Sequence, residues 1–143
     1  MINSEINSSP ATKLKREFYI LVAEDNLINQ KLIKKILEKE NIQFSLATNG
    51  LKVLELLDQS TDSANKKFDL ILMDIQMPEM DGITATKLIR NRNDLYKNIP
   101  IIATTANGMD SQIEEYLKNG ITSCITKPII FKQLIDEIDR LIP

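Results

Sequence analysis

The stretch DLILMD, Asp69 to Asp74, sets four large apolar residues in succession between two acids. A strand with one wet face would interleave polar side chains, so an unbroken run this short reads as a strand covered on both faces. Working outward, similar runs occur at FYILVA (Phe18 to Ala23) and IPIIATTA (Ile99 to Ala106), with shorter ones at FSLAT (Phe44 to Thr48) and SCIT (Ser123 to Thr126). Helical spacing fills the gaps between them. After Asn26, an N-cap candidate, Ile28, Leu32 and Ile36 with Ile33 and Leu37 form one stripe. Leu51, Val53, Leu54 and Leu57 form a second, and Ile83, Leu88 and Ile89 a third. Met109, Ile113, Tyr116 and Leu117 form a fourth, which Gly120 is placed to stop, and Phe131, Leu134, Ile135, Ile138, Leu141 and Ile142 a fifth. Five strand-helix pairs imply a parallel sheet with right-handed crossovers, an α/β doubly wound three-layer sandwich with the first strand central. The polar stretch QSTDSANKK, Gln59 to Lys67, reads as a solvated loop, and residues 1–16 as a flexible tail or linker ahead of one domain over 17–143.

Composition narrows the function. The 143 residues are 43% hydrophobic and 27% charged, enough to close one core. Eighteen basic residues against 20 acidic ones leave a net charge of −2, which argues against nucleic-acid binding by bulk charge. Cys124 is the single cysteine, so neither an internal disulfide nor a multi-cysteine metal cage can form, and a cytoplasmic, reducing setting fits. No apolar run approaches the ~18 residues of a membrane span, so no membrane insertion is expected. Histidine is absent altogether. Any chemistry here therefore runs on carboxylates, hydroxyls and lysine.

Parallel α/β sheets gather ligands at the carboxyl ends of their strands. Those ends carry Glu24 and Asp25 on the first strand, Asp74 on the third, Thr104 and Thr105 on the fourth, and Lys127 and Pro128 on the fifth. Singly, each has an ordinary reading: an acidic pair at a helix N-terminus, a turn aspartate, a strand threonine, a loop lysine. Jointly they are better explained as one site, because every polar oddity falls on the same rim. Three carboxylates held close repel one another, and a hard divalent cation such as Mg²⁺ relieves that repulsion while keeping waters for a phosphate to displace.

The segments LVAEDNLINQKL, LILMDIQMPEMDG, IIATTAN and ITKPI resemble, in order and interval, the four signatures of response-regulator receiver domains over roughly Tyr19 to Ile142. EDN followed by Asn29, with DIQMPEMDG and TAN, looks most like the receivers of hybrid sensor histidine kinases. The resemblance implies a flavodoxin-like sheet of five strands in the order 2-1-3-4-5, with five helices. It implies that Asp74 accepts a phosphoryl group and that Glu24, Asp25, Asp74 and the carbonyl of Gln76 hold Mg²⁺. Thr105 would donate to a phosphoryl oxygen, Lys127 would pair with the same group, and Pro128 would follow a cis bond that aims the lysine inward. The Gln76 and Asn107 side chains would tune the lifetime of the phosphate, and Gly82 would let the third helix begin close to the strand. The donor would be a histidine kinase or histidine phosphotransfer protein, the chain catalysing only its own phosphorylation and dephosphorylation. Phosphorylated Asp74 would pull Thr105 inward and switch the surface of the fourth helix, fifth strand and fifth helix. One position departs from the family: Tyr or Phe usually stands three residues before the lysine, and here it is Cys124, which reads as a small core side chain.

Other readings fit less well. A haloacid-dehalogenase-like phosphohydrolase needs a second acid two residues after its nucleophile, where this chain has Gln76. A nucleotide-binding domain needs a glycine-rich turn after the first strand, and the four glycines, Gly50, Gly82, Gly108 and Gly120, lie elsewhere. A module that binds partners without phosphorylation leaves the intact acids and Lys127 without a purpose.

Overall fold

The computed structural model describes residues 17–142 apart from Ser63 and Asn107. The expected tail over 1–16 and the tuning residue Asn107 therefore lie outside the described residues. Five strands, β1 (Tyr19–Ala23), β2 (Gln43–Ala47), β3 (Leu70–Asp74), β4 (Ile101–Thr105) and β5 (Ser123–Thr126), alternate with five helices. These are α1 (Leu27–Lys39), α2 (Gly50–Ser60), α3 (Gly82–Arg90), α4 (Asp110–Lys118) and α5 (Phe131–Leu141). All strand pairs are parallel, in the order β2-β1-β3-β4-β5. Chain direction across the sheet reverses between β1 and β3, so the crevice at their carboxyl ends is the place where the fold leaves room for a ligand.

The central strands are apolar throughout because alternate residues enter two separate cores. Leu21, Ile71, Met73, Ile101 and Ala103 face α2, α3 and the loop before β4. Ile20, Val22, Leu70, Leu72 and Ile102 face α1 and α5. All five residues of β3 are buried, Asp74 among them.

Three helices start at the site edge with the same device. Asn26, Asn49 and Asp81 each accept a hydrogen bond from the backbone N–H three residues on, at Asn29, Lys52 and Thr84, which fixes where α1, α2 and α3 leave the sheet. At its other end α4 is closed by Gly120 at φ +105°, with Gly120 N–H donating to the Leu117 carbonyl and Ile121 N–H to that of Tyr116. That paired closure satisfies carbonyls the helix leaves open and uses glycine where a side chain would be strained.

The helical stripes are narrower than the spacing predicts. In α1 the buried residues are Ile33, Ile36 and Leu37, while Ile28 is 77% exposed and Leu32 sits at the surface. Leu51 and Leu88 are likewise outside the cores of α2 and α3, and α4 buries none of its residues, with Met109 and Leu117 exposed. A helix laid on one face of a sheet needs only the width that the strands cover, and the rest of an apolar stripe stays wet.

The polar stretch after α2 is fastened from below by Lys67, whose ammonium donates to the carbonyls of Ser60, Asp62 and Asn65. Beside it, fully buried Tyr96 joins the β3 and α2 segments: its hydroxyl accepts from Phe68 N–H at 3.1 Å and shares a hydrogen bond of 2.5 Å with Ser60 Oγ. Tyr96→Phe leaves a buried backbone N–H without a partner, and the expected cost is about 1–2 kcal/mol in urea unfolding. Stability unchanged within error would mean that Phe68 N–H is satisfied another way.

Candidate functional site

Glu24, the first residue beyond β1, turns into the protein and is fully buried, whereas Asp25 stays exposed at the mouth. Asp74 ends β3 and is 3% exposed. One carboxylate oxygen from each of these three acids falls within a cluster no more than 4.8 Å across. From the far side Lys127, just past β5, brings its Nζ to 3.1 Å from Asp74 Oδ1 and 3.5 Å from Glu24 Oε1. The Lys127–Pro128 peptide is cis.

Around this core the backbone sets each partner. Gln76 N–H donates to Asp74 Oδ1 at 3.2 Å, while the Gln76 side chain is exposed. Register places Asp74 opposite Thr104 and Thr105 opposite Thr126, so Thr105, 4% exposed, sits at the end of β4 on the same rim. Cys124 is half-buried opposite Ala103 and packs against the apolar core, and burial pushes its thiol pKa up, as a small interior side chain requires. Gly82 N–H donates to the Ile75 carbonyl, and a Cβ on Gly82 would lie 2.3 Å from the Asp74 carbonyl oxygen. The close approach expected of Gly82 is thus real. In the loop between Asp74 and Gly82, Glu79 adopts φ +67°.

Charge balance at the site is uneven. Burial and the neighbouring Glu24 carboxylate push the Asp74 pKa from 3.8 up to about 6, and Lys127 only partly offsets them. Because the folded form holds its proton more tightly than the unfolded chain, Asp74 contributes stability that is fully present below pH 3.8 and is lost as pH rises through about 6. In EDTA, urea midpoints are therefore expected to fall between pH 4 and pH 6.5. A midpoint that rises steadily over that range would mean the carboxylate is not strained by its surroundings.

A divalent cation fits these residues. Glu24 Oε2 is taken by the N–H of Asn26 and the amide of Asn29, but among the described residues the buried Oε1 accepts no hydrogen bond. Lys127 Nζ stands at 3.5 Å from it, near enough to attract but long for a bond. A buried anionic oxygen left in that condition, beside two more carboxylates, is suited to an all-oxygen hard-ion site.

The sequence pattern located Glu24, Asp25, Asp74, Thr105 and Lys127 on this rim, and the structure brings the three acids and the lysine into contact range. It gave no sign of Gln30, whose Nε2 donates to the Glu24 carbonyl at 2.7 Å. It also missed Arg92, which bridges Asp58 of α2 and Asp94 and steadies the loop before β4.

Known proteins are similar to this chain in sequence and in fold. The receiver domain of the sensor histidine kinase PA1611 from Pseudomonas aeruginosa, solved with a magnesium ion coordinated in its active site cleft, is 30% identical, with a TM-score of 0.76 over 87% of this chain and 97% of that one. The receiver domain of the Saccharomyces cerevisiae response regulator Ssk1, solved with the histidine phosphotransfer protein Ypd1, is 28% identical, with a TM-score of 0.76 over 87% and 88%. Hybrid signal transduction histidine kinase I of Dictyostelium discoideum is 41% identical over 124 residues, which are 86% of this chain but 7% of that protein. The osmosensing histidine protein kinase SLN1 of Saccharomyces cerevisiae is 41% identical over 111 residues, 77% of this chain and 9% of the kinase. Residues 20–139 match the response regulator receiver domain as a family, and the strand order and rim acids agree with that match, so the chain belongs to the receiver domains of two-component signalling.

Proposed function

We propose that the chain takes a phosphoryl group onto Asp74 from a phosphohistidine on a histidine kinase or histidine phosphotransfer protein, with Mg²⁺ held by Glu24, Asp25, Asp74 and the Gln76 carbonyl. The observation that carries this reading is the meeting of three carboxylates with Lys127 at one strand edge. A carboxylate oxygen of Asp74 forms the new O–P bond as the P–N bond to the donor imidazole breaks, and the imidazole nitrogen keeps the electron pair and takes up a proton. The product is an aspartyl phosphate, which water later cleaves to inorganic phosphate and the free carboxylate. Bound Mg²⁺ supplies charge neutralisation between the acids and the phosphoryl oxygens. Lys127 swings no great distance to pair with a phosphoryl oxygen, because it already stands over Asp74, and Thr105 donates its hydroxyl to another. Phosphoryl transfer asks mainly for this kind of positioning, so the chain acts as a signalling module whose chemistry is confined to its own aspartate. Phosphorylation switches a protein-interaction surface. A cytoplasmic location fits the lone half-buried cysteine, and none of the described helices is long and apolar enough to cross a membrane.

The donor protein lands on α1. Leu27 and Ile28, 70% and 77% exposed, stand at its first turn directly beside Asp25, an apolar step next to the mouth of the site. Ile28→Asp is expected to slow transfer from a phosphorylated histidine phosphotransfer protein about tenfold while leaving labelling by acetyl phosphate within twofold, since roughly 1.4 kcal/mol of lost apolar contact is a factor of ten. Equal slowing with both donors would move the landing surface elsewhere. The central test is incubation with acetyl phosphate and MgCl₂ followed by intact mass. One added phosphoryl group is expected, and EDTA should prevent it. No mass gain at any MgCl₂ concentration would overturn the reading.

A further inference from the structure

We infer that Asn29 and Gln30 are positioning residues that set the Glu24 carboxylate for the divalent ion, an inference that rests on the reading of the rim acids as a Mg²⁺ site. Glu24 lies just past the end of β1, where the ladder no longer fixes it on both sides. Its N–H donates to the Ala47 carbonyl of β2, while its own carbonyl accepts from Gln30 Nε2 at 2.7 Å. Among the described residues its side chain accepts hydrogen bonds at Oε2 alone, from Asn26 N–H at 3.1 Å and Asn29 Nδ2 at 3.4 Å. The first turn of α1 thus grips Glu24 at main chain and side chain together, and the oxygen left without a hydrogen bond, Oε1, is the one that faces Lys127 at 3.5 Å.

This one-sided grip has a chemical result. With Oε2 occupied, Glu24 cannot turn both oxygens toward Lys127, so the lysine stays shared with Asp74 and the orphaned Oε1 is left for the ion. If Asn29 is removed, one of two bonds to Oε2 goes and the carboxylate can rotate onto the ammonium. If Gln30 is removed, the Glu24 carbonyl loses the side-chain hydrogen bond that holds it. Both changes let Glu24 tighten the long 3.5 Å ion pair it already makes with Lys127, at the expense of the position an ion needs, and partners of metal ligands of this kind commonly alter affinity by about 10–100-fold.

The test is isothermal titration of MgCl₂ into the wild-type chain, Asn29→Leu and Gln30→Met, with acetyl phosphate labelling rates measured across the same MgCl₂ range. Each variant is expected to raise the Mg²⁺ dissociation constant about tenfold. The labelling rate at saturating MgCl₂ should stay within twofold of wild type, a split that general loss of structure does not produce. Dissociation constants within twofold of wild type in both variants would overturn the inference, as would a lowered saturating rate with unchanged affinity. A variant that loses its circular dichroism is replaced by Asn29→Ala or Gln30→Ala and held to the same two outcomes. Wild-type protein that binds no Mg²⁺ would instead overturn the metal-site reading itself.

Discussion

Asp74→Asn is expected to abolish phosphoryl uptake from acetyl phosphate and, at the same time, to make the protein more stable in EDTA at pH 7. The first effect follows from chemistry: an amide oxygen is a far poorer nucleophile than a carboxylate, and Asp74 is the acid that both Lys127 and the Gln76 N–H hold in place. The second follows from cost. At pH 7 the wild-type carboxylate is ionised against burial and against Glu24, which hold its pKa at about 6 rather than 3.8. Removing that charge relieves on the order of 1–3 kcal/mol, and Lys127 still has Glu24 to pair with. The fall in stability between pH 4 and pH 6.5 should flatten in the same variant. Intact mass and urea unfolding check the two halves separately. A label retained in Asp74→Asn would move the acceptor to another residue, and a less stable Asp74→Asn protein would mean that the carboxylate's bonds outweigh its repulsions.

Gly82→Ala should be the most damaging single methyl group in the chain. Its Cβ would stand 2.3 Å from the Asp74 carbonyl oxygen and 2.9 Å from Met73 Cγ. The methionine can bend away, but the carbonyl belongs to the buried end of β3 and cannot move without carrying Asp74 with it. Overpacking a rigid site costs typically 1–3 kcal/mol, and a clash with backbone falls at the upper end, so a loss of about 3 kcal/mol and roughly 10 °C in melting temperature is expected. Mg²⁺ affinity should fall in parallel. A melting temperature within 2 °C of wild type would show that α3 can slide outward freely.

Strands were the most legible part of the sequence. SCIT at Ser123–Thr126 is β5, and the other four apolar runs overlap their strands to within a residue or two, because burial on both faces writes a continuous apolar signal. Helix faces were read too broadly. Ile28, Leu32, Leu51 and Leu88 share a period with buried neighbours, and Met109 and Leu117 with half-buried Ile113 and Tyr116, yet periodicity fixes only a direction around the axis, not how wide a strip the sheet will cover. Site residues at strand ends could be picked out because the topology of parallel sheets sends ligands there. Gln30 and Tyr96 could not, since each acts through a bond to a backbone group that no spacing rule predicts. The close approach at Gly82 came from the family resemblance, since nothing in the spacing separates it from Gly50, where an added Cβ would stand 2.7 Å from the Met80 carbonyl oxygen rather than 2.3 Å from that of Asp74.

The ion pairs of Lys127 with Glu24 and Asp74 join three segments that lie about fifty residues or more apart in sequence. Until β5 has been added at the edge of the sheet, Lys127 is not in place beside Glu24 and Asp74, so a polypeptide that ends before it holds these two buried carboxyl groups without that counter-charge. Of the acids and the lysine that meet on this rim, the counter-charge is thus the last to leave the ribosome.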